Sequence, residues 1–478
     1  MKLEKKYGLF TAICMVIGIV IGSGVFFKAQ TILQKTEGNM PLGILAWIIG
    51  GVIMVICACT FGIMATKYSH VNGLVDYAEV TVGKKYAYFM GWFMATIYTP
   101  SMTGVLAWVS ARYFGELFGW SATDAQVMTV GCIFLVGSYA INALSPKLAG
   151  KFQVSTTVIK LIPLFLMAVV GTIYGLVKNV ARYEVDPITG TIIANGTSQI
   201  QILLENFKTT GASGMNVLFG AVVATAFAYE GWILATTINA ELKDAKKNLP
   251  IALFVGSLII IAVYILYYIG VAGGATVKVL QNANGGAQYA FLQIFGDLFG
   301  TILKVFIVIS CLGTLNGLML ACTRCLYSLS TRKMGPKPEM FEQIDNSTNM
   351  PTNSAIFALL VCALWFTYFY GANLAPKLWF GVFSFDSSEL PIVTIYTMYI
   401  PIFIMLIKKD RKEFGVFKGI VLPTLSIISC AFMTIAAIYA HKSSVIYYLI
   451  IYVIIMLVGI LFLLKKNKVD CVQENNKQ

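Results

Sequence analysis

The chain is short of charge: Asp, Glu, Lys and Arg make up only 12% of its 478 residues, where a soluble domain carries roughly 25%. Histidine is nearly absent, with two in the whole sequence. Neither His70 nor His441 lies in a pattern suited to catalysis or metal binding. There is no Walker-type phosphate loop, so direct ATP coupling lacks support. The ten cysteines, Cys57, Cys59, Cys311 and Cys322 among them, fall mostly within apolar stretches and show no metal-ligand spacing. They read as small packing residues rather than a disulfide framework. No large polar domain and no nucleophile–base constellation stands out, so an enzyme is the least favoured class and no cofactor or metal is expected.

What the chain has is apolar length. It is 58% hydrophobic, with a mean hydropathy of +0.77. A helix crosses a bilayer in about 20 apolar residues, and twelve segments of that kind are expected: 8–34, 41–66, 86–118, 124–144, 151–178, 214–239, 250–273, 297–331, 353–371, 386–407, 419–440 and 444–464. The expected fold class is an all-α polytopic membrane protein. The first segment is too long for a signal-peptide core and is read as retained. The long third and eighth segments should tilt or protrude.

The net charge of +13 would suit nucleic acid, but its placement points to a bilayer. With a cytoplasmic N-terminus, inner loops and tails hold 24 of the 35 Lys and Arg residues, including Lys2, Lys5, Lys6, Lys243, Lys246 and Lys247. That is the positive-inside pattern. It predicts a multi-pass protein of the cytoplasmic membrane with both termini inside, the lipid bilayer as partner and no nucleic acid. Residues 179–213 form the longest outer loop, with Asp186-Pro187 and Asn195-Gly196 as turn signals. The cluster Lys408-Lys409-Asp410-Arg411-Lys412 separates the first ten spans from the last two.

Two spans are interrupted. The first carries Gly18-Ile19-Val20-Ile21-Gly22-Ser23-Gly24-Val25-Phe26, and the sixth carries Phe227-Ala228-Tyr229-Glu230-Gly231-Trp232. Unpaired backbone is tolerated in hydrocarbon only beside protein or a polar cavity, so the breaks mark places where amides and carbonyls can serve a ligand. Past Gly22-Ser23-Gly24 the resuming half-helix offers N–H groups to a carboxylate. Before it, the carbonyls of Ile19 and Val20 suit an ammonium. Together they fit the zwitterionic head of an α-amino acid. The competing reading is close helix packing, because Gly18 and Gly22 form a small-xxx-small pair. The breaks lie five spans apart, so two successive five-span units have opposite orientations, as in an inverted repeat. This divides the chain into 1–178, the outer loop 179–213, 214–407, and 408–478 with the last two spans and a tail.

Glu230 should face protein or water, where it contacts a substrate ammonium, handles a proton, or bonds a neighbouring helix. Phe227, three residues earlier, either covers a ligand or packs in the core. Lys160 stands nine residues beyond Lys151, roughly 13 Å along a helix, and no charge follows until Lys178. It replaces a bound cation, carries a proton, or snorkels to the interface. Asn316 bridges helices or lines the pathway. Asp386 and Glu389 form an outer gate or lie at the interface.

These residues resemble the amino acid–polyamine–organocation superfamily, specifically its L-type amino acid transporter branch and bacterial serine/threonine-exchanger-like members. The resemblance rests on Gly18–Phe26, on Thr157-Val158-Ile159-Lys160-Leu161-Ile162-Pro163, on Phe227–Trp232 continuing through Glu241-Leu242-Lys243 to Asn248-Leu249-Pro250, and on Ser310–Arg324. It runs in order over most of the first ten spans. It implies the five-plus-five leucine-transporter-type fold with two peripheral helices. It also implies an amino acid substrate whose carboxylate is held at Gly22, Ser23 and Gly24, and whose ammonium meets carbonyls at Ile19, Val20, Phe227, Ala228 and Glu230, beside Gly231. Phe227 matches an aromatic gate, and Lys160 matches a lysine that substitutes for sodium. Two departures stand out: position 230 varies among Gly, Asp and Glu in similar proteins, and His70-Val71-Asn72-Gly73 replaces a common Gly-Gly pair.

The sequence thus predicts a sodium-independent permease for amino acids, neutral ones first, working by alternating access as an exchanger. Proton-coupled or cationic amino acid transport is the alternative. A channel would lack saturable, L-selective flux, and a non-transporting receptor would call for a signalling domain. A light-subunit role beside an ancillary glycoprotein, as for animal relatives, is not required by any segment, and no obligate protein partner is expected.

Overall fold

The computed structural model describes residues 8–22, 24–68, 73–144, 148, 152, 155–156, 158–185, 192–208, 211–233, 242–281, 286–346, 348 and 350–475. The first span is two helices, α1 (Leu9–Val20) and α2 (Gly24–Lys35). Ile21, between them, is extended. Next comes α3 (Met40–Lys67), whose N-cap Asn39 accepts from the Leu42 amide, so one of the free amides of its first turn is satisfied. The short α4 (Leu74–Thr81) leads into α5 (Lys84–Phe93), a π-turn at Met94–Tyr98, and α6 (Thr99–Glu116). Pro100 has no amide to give to the Thr96 carbonyl. The indole of Trp365 donates to that oxygen instead, at 2.8 Å.

Beyond α7 (Ala125–Leu144) the described part of the fifth span is α8 (Leu161–Leu166), a π-turn at Met167–Gly171, and α9 (Thr172–Val177). The predicted outer loop is not simply irregular. It contains an antiparallel ribbon of β1 (Asn179–Val185) and β2 (Ile192–Gln201), then α10 (Ile202–Lys208). The ribbon is an addition within this loop to a chain that is otherwise nearly all helical. The alternation in Ala181, Tyr183 and Val185 suits a strand, but the turn signals drew attention to the connection alone.

The sixth span begins as α11 (Met215–Tyr229) and stops at Glu230, whose backbone is extended. Then follow α12 (Ala245–Ala272), α13 (Val277–Leu280) and α14 (Gly286–Ser330), the last interrupted at Gly296, where φ is 73°. After α15 (Pro338–Phe341) come α16 (Thr352–Asn373), α17 (Leu390–Val416), α18 (Leu422–His441) and α19 (Ser444–Asn475). The basic cluster 408–412 lies within α17, which continues past it and changes direction at Gly415, φ 73°.

Among the described residues seven helices are long and apolar enough to cross a membrane, and three shorter apolar helices accompany them. Their outward faces carry exposed Ile133, Phe165, Leu364, Val453 and Leu461, a surface suited to lipid rather than water. The chain is a multi-pass membrane protein. At the centre, α12 packs along α3 and α1, while α11 lies against α2, α3 and α18. On the other flank α14 packs on α6, α7 and α16.

Candidate functional site

The two interruptions meet in the interior. Gly24 opens α2 directly against the end of α11: a Cβ placed on it would fall 2.7 Å from the Ala228 Cα and 3.1 Å from the Phe227 carbonyl oxygen. Only glycine allows that approach. Gly22 is closed in from the α14 side, where a Cβ would meet the Thr314 Oγ1 at 2.8 Å. Ser23 and the side chain of Ile19 lie outside the described residues.

A residue that the sequence reading missed ties the breaks together. The buried Tyr264 hydroxyl on α12 lies 3.1 Å from the Val20 carbonyl oxygen and 3.0 Å from that of Ala228, donating toward both. These are the carbonyls that the two helix ends leave free. The chain has 24 tyrosines, and no local pattern around position 264 sets this one apart. Trp47 and Tyr229 pack on its ring at centroid distances of 5.4 and 5.2 Å.

Lys160 immediately precedes α8 and is buried. Its ammonium donates to the Gly18 carbonyl oxygen, so the lone charge of the fifth span meets the backbone of the first just before the break. A buried ammonium needs such acceptors. Phe227 is also buried, its ring edge-on to Phe27 at 5.8 Å.

Glu230 reaches the third span. The Tyr98 hydroxyl donates to its Oε1, while Oε2 is buried without a hydrogen-bond partner among the described residues. Gly231 has φ 104°, a left-handed conformation that favours glycine. Asn316 accepts from the Asn142 side chain at 2.9 Å through Oδ1 and at 3.2 Å through its backbone carbonyl. It joins α14 to α7, as a bridging residue does.

Two ion clusters lie at opposite ends of the helices. At one, Glu389 accepts from Lys28 at 2.8 Å, from Lys35 at 3.0 Å, and faces His441 at 3.1 Å. Ser388 accepts from the same Lys28 at 3.1 Å. The Lys28 ammonium lies 5.0 and 5.2 Å from the ring centroids of Phe27 and Phe227, so this cluster rests on the proposed gate. Asp386 accepts from the Ser388 amide and hydroxyl. At the other end Arg332 pairs with Asp76 and Glu79 of α4, and beside it opens a cavity of about 430 Å³. Its walls include Met94, Ile233, Gly317, Leu320, Arg324 and Ser328.

A bundle of apolar helices, a paired break at its centre and a ligand-sized cavity leading toward one end define a membrane transporter. The chain belongs to the amino acid permease family, whose model matches residues 7–461, and it is a transporter of amino acids rather than an enzyme. It is 28% identical to the serine/threonine exchanger SteT of Bacillus subtilis over 417 residues, covering 86% of this chain and 85% of that protein. The human cystine/glutamate transporter is 23% identical over 74% of this chain and 66% of its own length. The mouse b(0,+)-type amino acid transporter 1 is 23% identical over 68% and 62%. The chain therefore spans just under two thirds of those two animal relatives.

Proposed function

We propose that this protein exchanges amino acids across the cytoplasmic membrane by alternating access, without sodium, and that neutral L-amino acids are its preferred substrates. The observation that carries the reading is the contact of the two breaks at Gly24 and Ala228, with the Lys160 ammonium on the Gly18 carbonyl beside it. In this reading the substrate carboxylate takes backbone amides at Gly22, Ser23 and Gly24. Its ammonium takes carbonyls from Ile19, Val20, Phe227, Ala228 and Glu230, next to Gly231. Tyr264 fixes the spacing of the two carbonyl ends, and Phe227 covers the ligand. Lys160 supplies the fixed positive charge that a sodium ion would otherwise bring, which removes the need for the ion. Similarity to a serine/threonine exchanger supports both exchange and a small neutral substrate.

The fold proposed is twelve spans, ten of them a five-plus-five inverted repeat, divided into 1–178, the outer loop 179–213, 214–407 and 408–478. The end carrying Arg332 is assigned to the cytoplasm with both termini, from the placement of Lys and Arg. No obligate protein partner is proposed. The second reading, proton-coupled or cationic transport, is favoured by one observation: the buried Glu230 Oε2 without a partner among the described residues. Labelled amino acids, supplied one at a time to sodium-free proteoliposomes, decide between them. Exchange predicts uptake only into vesicles preloaded with amino acid. Equal uptake into empty vesicles, stimulated by an imposed proton gradient, would favour the second reading. No flux for any amino acid, from protein shown to be folded, would overturn both.

A further inference from the structure

Resting on the transport reading, we propose that Arg324 forms a second carboxylate-binding station in the cavity at the Arg332 end, where an amino acid docks on its way between the central site and that face of the membrane. The cavity of about 430 Å³ is within the usual range for small ligands, roughly 300–1,000 Å³. Its two arginines differ. Arg332 is neutralised, with Asp76 on Nη2 and Glu79 on Nε, and its Nη1 donates to the Ser328 carbonyl and hydroxyl oxygens at 2.7 Å each. Arg324 lines the same space, is exposed to it, and has no ion pair or hydrogen bond among the described residues. A guanidinium in that state presents a planar fork matched to a carboxylate.

The rest of the lining suits an amino acid. Ser328, one helical turn from Arg324, has a hydroxyl hydrogen left to donate, since its oxygen accepts from Arg332. Met94, Ile233, Leu320 and Ala321 give an apolar wall for a side chain, and Gly73, Gly91 and Gly317 keep the floor open. The cavity is also aligned with the central site. Thr314 of α14 touches the Gly22 position, Gly317 lines the cavity, and Arg324 follows about 15 Å along the helix from Thr314. Ile233, two residues past Gly231, brings the end of the second break to the same wall. An amino acid leaving the breaks along this face meets Arg324 as the first unneutralised cation among the described cavity residues.

The test compares Arg324→Gln and Arg324→Lys with the wild type, measuring half-saturation for exchange in intact cells and in inverted membrane vesicles, which present opposite faces. The station predicts that Arg324→Gln raises half-saturation about tenfold on one face, the effect of losing one charge-assisted pair. The other face should change little, and Arg324→Lys, which keeps the charge but not the fork, should recover part of the loss. Replacing chloride and sulfate with bulky anions separates the sources of the carboxylate-like ligand: a cavity that holds only inorganic anions would show the wild type shifting as the variant does, overturning the proposal. Equal shifts on both faces, or none, would overturn it as well. Wild type without exchange would instead defeat the transport reading itself.

Discussion

Glu389 and Arg332 each gather ions from distant parts of the chain, but their surroundings are opposite. Glu389 and Lys28 are 0% and 1% exposed, only Lys35 at the edge of the cluster reaching 30%, and the cluster binds α2, the start of α17 and the end of α18. Arg332 is 22% exposed, its partners Asp76 and Glu79 are 26% and 29%, and the cavity opens beside it. Coulomb attraction is strong where water is excluded and weak where it enters. Burial also makes the first cluster costly to break, because separating it leaves a charge with no solvent. The comparison therefore gives a direction to the molecule: shut at the Glu389 end, accessible at the Arg332 end. In the proposed orientation this is an inward-facing conformation, and leaving it means taking the Glu389 cluster apart and re-forming it in each cycle.

The largest effect should come from Glu389→Gln, which strands Lys28 among Ser388 and two aromatic rings. Breaking one side of a buried pair costs about 3–5 kcal/mol, so melting in detergent should fall sharply, and an unchanged melting temperature would show that the buried pair does not hold this end. Next, Lys28→Met combined with Glu389→Leu should recover most of that loss, to within about 1–2 kcal/mol of wild type, because neither charge is left stranded. A double variant as unstable as Glu389→Gln alone would make packing, not charge, the cause. After these comes Lys67→Gln, which removes pairs with Asp410 and Glu413 at 2.7 and 2.6 Å. Asp410 is only 4% exposed but keeps the Tyr68 hydroxyl as a donor at 2.8 Å, so the loss should be about 1–2 kcal/mol, and only the part due to the exposed Glu413 should shrink as salt is added. Arg332→Gln should cost about 1 kcal/mol or less, as exposed pairs do, and change exchange rates several-fold at most through α4. Loss of folding in that variant would contradict the comparison.

Much of the centre was legible in the chain because its signals are local. Glycine in an apolar run marked the first break, and Phe227 to Trp232 marked the second. Lys160 stood out as a single charge in a long apolar stretch. Its acceptor, the Gly18 carbonyl, did not, since any backbone oxygen is a candidate until the helices are placed. Tyr264 was illegible for a related reason: its role comes from reaching two helix ends at once, and its neighbours in sequence carry no trace of either. Glu389 was recognised as a candidate gate, but its partners Lys28 and Lys35 lie more than 350 positions away. At Lys408–Lys412 the basic residues mark depth in the membrane, not a helix end. The helix continues to Gly415, where the backbone changes.

Closure at one end and access at the other can be read from the rate at which an impermeant thiol reagent labels Ser387→Cys and Ser328→Cys, each in a background freed of native cysteines and with both membrane faces exposed. Ser387, two residues before Glu389, is fully buried and Ser328 lines the cavity. Ser328→Cys should react readily while Ser387→Cys is protected, and adding Glu389→Gln should remove the protection. Equal reactivity at the two positions, or protection of Ser387→Cys that survives Glu389→Gln, would contradict that asymmetry.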